Sequence, residues 1–185
     1  LTNELKSYGF IFQGHSDTEV LLYSYIKWKE NCLNHLRGMF AFSIWDDNKK
    51  ILFAARDRMG IKPFHYIFDD NKNLFFSSEI KSLLPFLIKR EVNPILARQF
   101  LQWNILDHNV NDTMIKGISK LPPGHSFTWE LGGDFKIKKY WELNNYKGNL
   151  VGDPNLQNLK ENFRNRFDEV INLHMRSYVE IGTSL

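Results

Sequence analysis

Two apolar stretches, each folded back on itself across a polar turn, limit what this chain can become. Met39-Phe40-Ala41-Phe42-Ser43-Ile44-Trp45 carries apolar side chains on both faces of an extended chain, which predicts a strand sandwiched between layers rather than half exposed. Asp46-Asp47-Asn48-Lys49 supplies a turn, and residues 51–55 the returning strand. The same grammar recurs at 64–68, with a turn at Asp69-Asp70-Asn71-Lys72-Asn73 and a return at 74–77. Antiparallel hairpins with helical segments before and after them predict an α+β chain. An aromatic content of 15%, with 15 Phe, suits a sheet-rich core of large side chains.

The flanks are punctuated clearly. Residues 1–8 read as the tail of a helix closed by Gly9, and 10–12 as a short strand. Ser16-Asp17-Thr18-Glu19 fits a capping box, opening a helix with Val20, Leu21, Tyr23, Ile26 and Trp28 on it. A second short helical turn holds Leu33 and Leu36, and Gly38 separates helix from sheet. After the hairpins comes a short helix at 79–84, then one with Asn93 as N-cap and Pro94 at its first position, running to about Trp103. Residues 118–141 are strand-rich, with a bend at Pro122-Pro123-Gly124 and a hairpin turn at Gly132-Gly133. Asn, Gly, Lys and Pro mark 144–155 as a linker between a domain at 1–143 and a second at 156–185. In the second, Leu156, Leu159, Phe163, Phe167, Val170 and His174 fall at helical spacing, and 178–181 reads as a strand.

A net charge of +3, without a basic stripe interleaved with aromatics, sets nucleic acid aside. No apolar run is long enough to predict a membrane span. The single cysteine, Cys32, excludes an internal disulfide and, with apolar neighbours, reads as a small buried hydrophobe rather than a nucleophile. The 6 histidines (His15, His35, His65, His108, His125, His174) form no pair at i, i+4, so no metal site is expected from this segment. On pattern alone Asp17 is a helix-start acid favoured by the macrodipole. Arg56-Asp57-Arg58-Met59-Gly60-Ile61-Lys62-Pro63 gathers cations and a glycine after a strand. An anion site competes there with a structural turn holding an internal Arg–Asp pair, and the turn is favoured.

Taken together, these blocks resemble a known family. Ser16-Asp17-Thr18-Glu19-Val20, the run from Gly38 to Asp46, the run from Ala55 to Tyr66, and Phe76-Ser77-Ser78-Glu79-Ile80-Lys81-Ser82-Leu83 are similar, in order and spacing, to class II glutamine amidotransferases of the asparagine synthetase type. Gly117-Ile118-Ser119-Lys120-Leu121-Pro122-Pro123-Gly124-His125 and Tyr140-Trp141 match the end of the same domain. The resemblance implies a partial Ntn-hydrolase αββα sandwich, antiparallel sheets between helical layers. At 156–185 it implies the beginning of an α/β ATP-pyrophosphatase domain.

It also implies an activity: release of ammonia from glutamine, and its use with ATP and magnesium to convert aspartate into asparagine. Glutamine, aspartate and ATP are then the small-molecule partners, in a cytoplasmic enzyme for which a homodimer is one expected state. Asp17 matches the position whose carboxylate grips the α-ammonium of glutamine. Leu185, after Gly182-Thr183-Ser184, matches a position that contacts ATP just before a phosphate-binding loop. The Arg56 loop, and Glu79 with Lys81, are family hallmarks assigned to structure or to packing on the second domain. The family's nucleophile is an N-terminal cysteine with its own α-amino group as base, and an Asn-Gly segment supplies the oxyanion donors. Leu1 cannot serve as that nucleophile and the sequence contains no Asn-Gly. The catalytic residues are therefore expected outside this chain, which by itself should be silent. Two rival expectations keep the fold: another amide acceptor (a polysaccharide, a β-lactam or a peptide ring), or a non-catalytic module.

Overall fold

The computed structural model describes residues 1–105, 109–143, 156–175, 180 and 182. The chain divides into two compact units, Leu1–Glu142 and Leu143–Leu185.

The first unit runs α1 (Thr2–Ser7), α2 (Asp17–Trp28), a 3-10 segment (Lys29–Asn34), β1 (Ala41–Asp46), β2 (Ile51–Arg56), β3 (His65–Phe68) and β4 (Leu74–Ser77). A 3-10 segment (Ile80–Phe86), α3 (Pro94–Trp103), β5 (Ser119–Lys120), β6 (His125–Glu130) and β7 (Phe135–Lys139) complete it. Both predicted hairpins form, with Ala41 opposite Arg56 and His65 opposite Ser77. They enter different antiparallel sheets, one ordered β1-β2-β6-β7 and the other β4-β3-β5.

Strand alternation explains the layering. Leu52 and Ala54 of β2 and Phe127 of β6 pack with Phe64 and Leu121, joined by Tyr66 and Leu74 of the second sheet. The Phe135 ring lies 5.4 Å from Tyr66 and 4.9 Å from Phe68, which closes the inter-sheet core. On the opposite face of β2, Phe53 and Ala55 lie under Tyr25, Cys32 and Leu33. The outer face of the second sheet buries Ile67 against Leu83 and Ile118. Helical segments therefore cover both outer faces of a two-sheet stack. Phe53 is 0% and Phe127 1% exposed, and each contributes about 1.5–3 kcal/mol by leaving water.

Two expectations change. The strand covered on both faces is β2, not β1, because β1 is an edge of the larger sheet. Its Phe42 and Ile44 face the helical core, but on the other face only Ala41 joins the inter-sheet core. Trp45 stays 43% exposed, its Nε1–H donating to Asp47 at 3.1 Å. Residues 10–12 form a loop instead of a strand. Phe10 and Phe12 pack on the Tyr23 ring at 4.9 and 5.0 Å, so aromatic packing takes the place of a ladder.

α3 begins as predicted. Asn93 caps it, its side chain accepting from Ile95 N–H and Leu96 N–H, and Asn104 closes it in the left-handed region. In the second unit, α4 (Leu156–His174) realises the helical spacing, with Phe163 and Phe167 stacked 6.1 Å apart. The linker at 144–155 and, Glu180 aside, the strand expected at 178–181 lie outside the described residues. Among the described residues no helix is long and apolar enough to cross a membrane.

Candidate functional site

The segment from Phe10 to Tyr23 brings one loop and the start of α2 together. Ser16, extended at ψ 137, caps the helix by accepting from Thr18 N–H at 3.2 Å. Asp17 follows as the first helical residue, with its side chain exposed. There it sees the positive end of the helix, and a carboxylate so placed can receive a charge-assisted hydrogen bond from an ammonium.

Glu19 departs from the predicted capping box. Its Oε1 accepts from Gln13 N–H at 2.8 Å and its Oε2 from Gly14 N–H at 3.0 Å, so it reaches past the cap into the preceding loop. The Gln13 amide holds this carboxyl below its ordinary value. Partial burial opposes that effect, while the Gly14 amide, the neighbouring Tyr23 hydroxyl and His15 assist it. Tyr23 donates its hydroxyl hydrogen to Ile11 O at 3.0 Å, and its own ionisation is pushed up by desolvation and by the Glu19 charge.

The Arg56 loop is closed on itself. Arg56 donates from Nε to Lys62 O (2.7 Å), from Nη1 to Leu121 O (2.8 Å) and from Nη2 to Gly60 O (2.7 Å). Asp57, 1% exposed, accepts from the amides of Met59, Ile61 and Lys62 at 2.9–3.1 Å. Arg58 donates to Leu36 O and Leu33 O. Arg56, Asp57 and Arg58 each gather backbone groups. This is a structural turn. Lys81 meets Glu79 at 2.9 Å on the surface, where such pairs contribute little.

Cys32 is 0% exposed, and burial pushes its thiol up to about 12, which makes it a core residue rather than a nucleophile. Leu185 lies outside the described residues. A concavity of about 190 Å³ lined by Glu30, Asn34, Ser126, Lys138 and Tyr140 does not include Asp17. It is smaller than ordinary ligand pockets, which start at roughly 300 Å³. Glu19 is the residue that sequence reasoning misread. Its signal was the S-x-x-E spacing, assigned to the wrong partners.

A profile described as a glutamine amidotransferase domain matches residues 1–141. The chain belongs to that family. Asparagine synthetase 3 (glutamine-hydrolyzing) of Bacillus subtilis is 36% identical over 100% of this chain and 29% of its own length. Asparagine synthetase 1 (glutamine-hydrolyzing) of the same organism is also 36% identical, over 100% of this chain and 28% of its own. The amidase chry2 of Gibberella zeae is 31% identical over 95% of this chain and 25% of its own length. The chain thus spans under a third of these proteins. Among solved structures, glutamine phosphoribosylpyrophosphate amidotransferase from B. subtilis matches with a TM-score of 0.51 at 19% identity, covering 76% of this chain and 26% of that one. That likeness supports the mixed α/β fold with antiparallel sheets, and the fold alone.

Proposed function

We propose that this chain is the glutamine-handling part of a glutamine-dependent asparagine synthetase, in which Asp17 holds the α-ammonium of glutamine. The observation that carries this is an exposed carboxylate at the first position of α2, entered from a loop fixed by Glu19. A carboxylate held in place recognises an ammonium through a charge-assisted hydrogen bond and rejects ligands without one. Its role is binding and orientation. The attacking thiol, its base and the oxyanion donors belong to residues outside this chain, so the chain alone turns over no glutamine.

In the same proposal, 1–143 is the amidotransferase part, 144–155 a linker, and 156–185 the entry to an ATP-using domain with Leu185 against the nucleotide. ATP and magnesium would there activate the aspartate carboxylate for attack by ammonia. Among the described residues no group of three or more His, Cys, Asp or Glu could hold a metal ion. Cytoplasmic location and a homodimer go with this reading. The 31% identity to an amidase favours a second reading, the same chemistry with a different amide acceptor. Rescue of an asparagine auxotroph by the full-length gene decides between the two.

Asp17→Asn in the full-length protein tests the site. Loss of a hydrogen bond to a charged group costs about 1.5–3 kcal/mol. KM for glutamine should therefore rise roughly 10- to 100-fold while ammonia-supported synthesis is unchanged. An unaltered glutamine KM would remove Asp17 from the site.

A further inference from the structure

We propose that Glu19 is a positioning residue for glutamine capture: its carboxylate clamps the loop that leads into α2 and thereby sets the direction of Asp17. The inference rests on the reading of Asp17 given above.

Glu19 and Tyr23 stand four residues apart and share one face of α2. From that face they grip the preceding loop at successive points. Tyr23 takes Ile11 O with its hydroxyl and holds the rings of Phe10 and Phe12 against its own. Glu19 takes the amides of Gln13 and Gly14, one on each oxygen. Ser16 then takes Thr18 N–H. Asp17 therefore has fixed backbone on both sides, the clamped loop before it and the first turn of α2 after it.

The residue type sharpens the inference. A capping box works with either Glu or Gln at this position, because a single acceptor oxygen meets a single N–H. Two separate N–H donors, each on its own oxygen, need a carboxylate. Glutamine would meet one amide with its oxygen and turn its own NH₂ donor toward the other. Aspartate keeps both oxygens but is one methylene too short. The charge thus serves the loop rather than the cap. Fixing the group that reads the ligand, rather than touching the ligand, is the usual work of such supporting residues.

The test uses the full-length protein carrying Glu19→Gln, Tyr23→Phe, Asp17→Asn, or Asp17→Asn with Glu19→Gln. Hydrolysis of glutamine is compared with that of 4-carbamoylbutanoate, which is glutamine without its α-amino group. Ammonia-supported synthesis monitors folding. If Glu19 positions Asp17, Glu19→Gln lowers the preference for glutamine over the deamino compound roughly 10-fold. The loss should lie in KM more than in kcat, and adding Glu19→Gln to Asp17→Asn should cause little further loss. A fall of equal size for both compounds would mean a merely structural role and would overturn the proposal. If Asp17→Asn lowers the preference and Glu19→Gln does not, the positioning inference falls and the Asp17 reading stands. If Asp17→Asn leaves the preference unchanged, both fall. Should Glu19→Gln fail to fold, Tyr23→Phe loosens the same clamp, and an unchanged preference there also overturns it.

Discussion

The Asp57 loop and the Glu19 loop each bind a carboxylate to backbone amides, one at depth and one at the surface. At Asp57 the carboxylate is buried, its receiving amides belong to the loop that follows it, and the neighbouring Arg56 fork seals the same turn through Lys62, Gly60 and Leu121 carbonyls. At Glu19 the carboxylate is partly exposed and its amides belong to the loop that precedes the helix. Between that loop and Glu19 sits Asp17, whose side chain makes no hydrogen bond or ion pair with the described residues. The first arrangement turns Arg56, Asp57 and Arg58 inward onto backbone groups. The second spends one carboxylate on geometry and leaves another presented. A dense charge cluster is therefore the poorer candidate for a binding site, and the sparse one the better.

The contrast breaks most visibly at Asp57. Asp57→Ala strands the amides of Met59, Ile61 and Lys62 in a buried turn, where each unmet donor costs about 1–3 kcal/mol. Relaxation recovers part of this, so the expected loss is about 3–5 kcal/mol, a large share of a typical domain's stability. Urea unfolding of the 185-residue chain reads it directly. A loss below about 1 kcal/mol would mean the turn is not the anchor described here. Gly60→Ala should follow at about 1–3 kcal/mol. Its φ of +67 disfavours any side chain, and an added Cβ would sit 2.8 Å from Pro123 Cγ. Asp17→Asn, the variant that should damage glutamine capture, ought to change stability in the same assay by no more than about 1 kcal/mol, the ordinary value of a helix-start acid. A variant harmless to folding and harmful to binding is what a presented carboxylate implies.

Much of the fold was legible because it followed local rules. The hairpins, the Ser16 and Asn93 caps, the Pro94 helix start and the Gly132 turn each depend on residues adjacent in sequence. What failed was relational. That β1 would be an edge depends on β6 returning to the far side of β2, which no local pattern encodes. Phe10 and Phe12 lost their predicted strand to a ring in the second turn of α2. Glu19 kept its predicted spacing but found different partners, since S-x-x-E specifies reach along the chain and not which amide lies within it. The role proposed for Asp17 rests on resemblance, because a single exposed acid at a helix start carries no chemistry that distinguishes it from any other.

The smallest expected effect separates the loops by pH. Glu19 has a folded pKa below the ordinary 4.5, held down chiefly by the Gln13 amide. A depressed carboxyl contributes its stabilisation fully above the unfolded value and loses it as pH falls through the folded one. The clamp should therefore be intact from neutral pH to about 4.5 and open only below it. A global melt would not isolate this, because Asp46, Asp47, Asp69, Glu91 and Asp134 are also depressed and titrate in the same range. The amide resonances of Gln13 and Gly14 do isolate it, since both hydrogens point at the titrating group. Both should shift together with a midpoint under 4.5, and the shift should vanish in Glu19→Gln. Two amides moving with different midpoints, or a midpoint at or above 4.5, would mean that Glu19 does not hold them both, and the loop before Asp17 would then have lost its clamp.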